Sequence, residues 1–126
     1  PAEQGFPAEL LEFLRHSGAP AAPEDLQLFE RILAEAQATA KTWDGRVVFV
    51  YLPTWERYRL PELASKDRDN VLGIARRLKL HVMDIHEVFV THPDPLSLFP
   101  FRRYAHYNEA GHKLVGEEVV RQLGKL

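Results

Sequence analysis

The chain has 126 residues, 45% of them hydrophobic and 27% charged, which suits one globular domain or a portion of one. Its net charge of -2 supplies no pull toward nucleic acid or an anionic membrane, and no apolar run reaches the roughly 20 residues of a membrane span. Cysteine is absent, which excludes disulfides, thiolate nucleophiles and cysteine-type zinc sites.

"FPAELLEFLRHSG" places apolar residues at 6, 10, 11, 13 and 14 and predicts a first helix ending at Gly18. "GAPAAP" interrupts the chain, and Pro23 opens a second helix with Glu24 and Asp25 in its first turn, where the helix dipole favours acids. Leu26, Phe29, Ile32, Leu33, Ala36 and Ala40 form its apolar stripe, and Asp44-Gly45 ends it. "RVVFVYLP", stopped by Pro53, predicts a strand over about 46–52 buried on both faces, as in parallel sheets. A helix is expected over roughly 66–78 through Val71, Leu72, Ile74, Ala75 and Leu78, and a second strand over about 80–85 in "KLHVMDIHEVF". Residues 91–105 carry three prolines and no periodicity, and so predict a loop. The last helix is expected over about 108–123, burying Leu114, Val115, Val119, Val120 and Leu123. The order α-α-β-α-β-loop-α argues for an α/β fold with a parallel sheet. Two strands make a poor sheet, so further strands are expected from upstream of Pro1, or a second copy of the chain is expected to cover the sheet edges.

Ligands of open parallel α/β folds gather beyond the carboxyl ends of the strands. The segments there are "PTWERYR" and "HEVFVTHPDPLSLFPFRRYAHYN", which bring Trp55, Arg57, Tyr58 and His106 to one end of the sheet. His106, on a loop just before a helix, has the chemistry of a general base or acid near neutral pH; a solvated residue ahead of a capped helix is the competing reading. Asn108, the expected helix cap, joins Trp55 and Tyr58 as a candidate binding residue. Gly111 is expected to permit close approach of the last helix to a neighbouring segment. His112, in the first helical turn, is expected to turn inward and bond a backbone group. Asp84, His86, His92 and Asp94 follow no metal-binding spacing, and neither metal nor cofactor is expected. Asp84 has a better reading as a cap for a loop or an orienter of a histidine, and Asp94 as a turn residue. Lys66, Arg68, Arg76 and Arg77 read as a solvated helix face. Ser17, Ser65 and Ser97 are the only serines, none in a nucleophile elbow, and no glycine-rich phosphate loop is present.

Over about residues 45–123, "VVFVYLPTWERY", "LHVMDIHEVF" and "FPFRRYAHYNEAGHKLVGEEVV" resemble the C-terminal half of bacterial SGNH (GDSL-like) hydrolases, with "HYNEAGH" the most specific part. The resemblance implies a flavodoxin-like three-layer α/β/α fold with roughly five parallel strands, incomplete in this chain. It implies hydrolysis or transfer of acyl esters, carbohydrate esters of the cell envelope among them, through a Ser-His-Asp triad, with His106 at the catalytic histidine. The family's serine, glycine and asparagine blocks are not recognisable, and Arg103 and Tyr104 stand where an aspartate normally orients the histidine. The expectation is therefore an SGNH-like domain without its own serine block, inactive as this chain alone. The alternative is a non-catalytic flavodoxin-like binding or assembly domain in which "HYNEAGH" only caps a helix.

Overall fold

The structure, a computed structural model, describes residues 7–17, 19–103 and 106–126, with only the backbone of 14–17. The expected cap at Gly18 lies outside the described residues. In chain order the elements are α1 (Ala8–Ser17), α2 (Pro23–Lys41), β1 (Val48–Tyr51), α3 (Glu56–Arg59), a 3₁₀ turn at Pro61–Leu63, α4 (Arg68–Arg77), β2 (His81–Asp84), α5 (His86–Val90), 3₁₀ turns at Pro95–Leu98 and Pro100–Arg102, and α6 (Glu109–Leu123). The protein is mixed α/β, and both strands fall within their expected spans. They pair in parallel, Val48 opposite His81 and Tyr51 opposite Asp84.

Two compact units divide the chain. One comprises Pro20–Tyr51 and Lys66–Asp84, and so holds the sheet with α2 and α4. Pro23 occupies the first turn of α2, where a missing N–H costs nothing. Phe29 on α2 meets Phe49 on β1 edge to face at 5.9 Å, and Gln37 donates to the Leu78 carbonyl at 3.0 Å. Leu72, Ile74, Ala75, Leu80 and Met83 are its buried apolar residues, together with Ala40. α2 and α4 end alike. Asp44 and Lys79 take left-handed backbone, and the next residues, Gly45 and Leu80, donate back to Ala40 and Ala75. Thus Asp44, rather than the glycine beside it, makes the turn. Three expectations need correction in this unit. Every residue of β1 is half-buried, because the described sheet has only two strands of four residues. Ile32 and Ala36 of the α2 stripe are exposed. Arg68 is no solvated residue: it pairs with Asp84 at the end of β2, and its guanidinium stands 5.9 Å from the centre of the Tyr51 ring.

The other unit contains α1, Leu52–Ser65 and Ile85–Leu126. Its core is aromatic. Phe89 and Phe99 are fully buried and meet edge to face at 6.0 Å, with Leu60, Ile85 and Leu98 also buried. Ile85 and Phe89 fall four residues apart, so the apolar run that extends the second strand in sequence turns helical after Asp84. The expected loop of 91–105 contains two 3₁₀ turns, each opened by a proline. On α6, Leu114, Val115 and Val119 are half-buried, while Val120 and Leu123 are exposed, contrary to the stripe. The buried positions of this helix are Gly111 and Glu118, with Glu118 held by Arg121 and Gln122.

Candidate functional site

The site grows from two short segments of the second unit. The first is 52–56, immediately after β1 in the chain. Pro53 has no N–H to continue a strand ladder, and Trp55 begins the single turn of α3. Trp55 is 2% exposed, and its Nε1 donates to the Arg102 carbonyl at 2.9 Å, so it serves as a fixed apolar wall.

The second segment is 106–112. Asn108 caps α6 as its position predicts: extended backbone, with Oδ1 accepting from the Gly111 N–H at 2.9 Å. The same side chain donates to the Ser97 carbonyl at 2.8 Å, and the Asn108 N–H donates to Leu98 at 3.0 Å. A Cβ on Gly111 would stand 2.4 Å from the Leu98 carbonyl oxygen, so only glycine lets the helix start seat on Pro95–Leu98. Tyr107 completes the anchorage. Its ring lies 5.1 Å from Phe89 and 5.4 Å from Phe99, and its hydroxyl donates to the Pro53 carbonyl, which ties the two segments together.

Between them is a pocket of about 450 Å³, lined by Leu52, Pro53, Thr54, Trp55 and Glu56 from one segment and by His106, Tyr107 and His112 from the other. That volume is in the range of small-molecule sites. His106 and His112 are exposed, and Glu56 is half-buried. Among the described residues, none of these three side chains makes a hydrogen bond or ion pair. His112 corrects its expectation: its ring stands edge to face with Tyr107 at 5.8 Å instead of bonding backbone.

Of the candidates from sequence, His106 and Trp55 share this pocket. Asn108 does not line it, because both ends of its amide serve the start of α6. Tyr58 does not line it either: its hydroxyl is 2.9 Å from His86 Nδ1, and its ring packs near Phe89 and Phe99. The Arg57 guanidinium donates to the Ser65 carbonyl. Tyr107 and Glu56 escaped sequence reasoning. Tyr107 reads as a spacer between two more conspicuous residues, and Glu56 as one acid in a mixed-charge run. Only the fold brings them to a pocket.

The other polar candidates have partners. His92 Nδ1 accepts from the Asp94 N–H at 3.0 Å, and Asp94 pairs with Arg102 at 2.6 Å. Asp84, at the end of β2, pairs with Arg68. Among the described residues, no group of three or more His, Asp or Glu could hold a metal ion. No helix among them is long and apolar enough to cross a membrane. No family model, curated protein or solved structure matches this chain.

Chemically, the pocket offers two exposed imidazoles, groups that can accept or donate a proton. Neither Ser65 nor Ser97 lines it, and the Ser97 hydroxyl is bound to the Asp94 carbonyl at 2.7 Å. Thr54 brings the only aliphatic hydroxyl among the residues that line the pocket.

Proposed function

We propose that the chain is an SGNH-like ester hydrolase or acyltransferase domain of flavodoxin-like ancestry, with His106 as the general base of an acyl-ester site that lacks its own serine. The observation that carries this reading is the position of His106: exposed on an apolar-walled pocket, one residue from the tethered Tyr107 and two from the capped start of α6. A base needs such a placement, free to meet a reacting hydroxyl yet fixed at its root. The resemblance of "HYNEAGH" to the histidine block of that family supports the same role. The absence of Ser65 and Ser97 from the pocket supports the second reading, a non-catalytic binding or assembly domain.

The two readings separate when the missing hydroxyl is supplied from solution. With 4-nitrophenyl acetate alone, the purified chain is expected to release nitrophenol no faster than buffer. With methanol added as acyl acceptor, a His106 base accelerates transfer, and His106→Ala abolishes the gain. A methanol-dependent rate identical in both proteins removes the catalytic reading and leaves the binding domain.

A further inference from the structure

We infer that Glu56 sets the charge preference of the pocket, so that it takes neutral acyl ligands and rejects anionic ones of the same shape. Glu56 is half-buried, lines the pocket, and has neither ion-pair nor hydrogen-bond partner among the described residues. A carboxylate on a pocket wall without a partner of its own is available to attract or repel whatever enters. No lysine or arginine lines the pocket to offset it. Of the arginines near the two segments in the chain, Arg102 pairs with Asp94 and Arg57 donates to the Ser65 carbonyl, and neither Arg59 nor Arg103 lines the pocket. The start of α6 would otherwise attract an anion, but Asn108 accepts the Gly111 N–H and blunts that pull. The other polar side chains are Thr54, Tyr107 and two imidazoles, none of them a fixed cation. Glu56 and an incoming carboxylate would face each other between walls made by Leu52, Pro53 and Trp55, with no fixed cation among the lining residues to screen their repulsion. Like charges brought together on binding cost affinity steeply.

The choice of acyl ligands rests on the ester-site reading, but the test does not need turnover. Butyranilide and succinanilate have the same four-carbon acyl chain, ending in a methyl group in one and a carboxylate in the other, and neither is an ester. Titration of each into the full chain is followed through the indole signal of Trp55 and the ring signals of His106 and His112. The native chain is expected to bind the neutral anilide about tenfold more tightly or better. Glu56→Gln brings the two within about threefold, mainly by improving the anion. Equal affinities in the native chain, an unchanged ratio in Glu56→Gln, or no shift of the pocket signals with either compound would overturn the inference. His106→Ala keeps the preference while losing methanol-dependent transfer, so the two proposals fail separately. Loss of the preference in His106→Ala would move the selectivity to the imidazole and refute the assignment to Glu56.

Discussion

Asp84 and Glu56 are both carboxylates near the end of a short element, and the chain treats them in opposite ways. Asp84 closes β2, is 7% exposed and is paired with Arg68. Glu56 opens α3, is half-buried and has no partner among the described residues. Burying a carboxylate is tolerable only when a cation and hydrogen bonds replace the lost water. Asp84 meets that condition from within its own unit, whereas Glu56 stays wet on a pocket wall. A charge satisfied by its own fold holds the fold together. A charge left unsatisfied contributes little to stability and remains available to a ligand.

The largest effect should come from breaking the satisfied side. Asp84→Ala takes from the half-buried Arg68 guanidinium its buried partner, leaving only the exposed Asp69 at 3.5 Å, and should cost about 3 kcal/mol by urea unfolding. Glu56→Ala should stay within about 0.5 kcal/mol, as expected of an unengaged surface group. Comparable losses from both would erase the contrast.

Gly111→Ala comes next. Its Cβ would meet a backbone carbonyl rather than a yielding side-chain tip, so α6 must shift off Pro95–Leu98. About 2 kcal/mol should be lost, as is typical of overpacking. The Trp55 indole signal should move as well, because the pocket loses its alignment.

Acid tests a third carboxylate. The Arg121 guanidinium, helped by Gln122, holds Glu118 at about 2, well below its ordinary value of 4.5. A depressed folded value means that the stabilisation is complete above about pH 4.5 and is lost as pH falls through about 2. Arg121 is half-exposed, so solvent screening limits the contribution to about 1 kcal/mol. Glu118→Gln should flatten stability in that window and leave the profile above pH 5 close to parallel. A steeper acid loss in the variant would contradict the pairing.

The smallest effects sharpen the comparison within the site. Asn108→Ala removes the cap and should cost about 1 kcal/mol. His106→Ala should change the thermal midpoint hardly at all, because its ring makes no hydrogen bond among the described residues. A loss above about 2 kcal/mol from His106→Ala would mark a buried, bonded group and remove the case for a base.

Much of this architecture is local and could be read along the chain. Pro23 at the head of α2, the apolar β-branched run of β1, and Asn108 followed three residues later by Gly111 depend on backbone sterics and near-neighbour bonds, which travel with the sequence. Partnership across distance was not legible. Arg68 reads as one solvated cation among several until β2 brings Asp84 to it, and Glu56 reads as one acid among many until Tyr107 reaches Pro53 from 54 residues away. Helix stripes failed for a related reason. Val120 and Leu123 fit the period of a buried face, yet α6 is anchored through its first turn on Leu98, and periodicity carries no information about which turn is anchored. Residue types and their spacing determined where the longer helices and the two strands begin, but not the short α3 and α5. Only tertiary structure decided which charges are neutralised and which line a pocket, because Coulombic pairing and burial depend on distances that the order of residues does not contain.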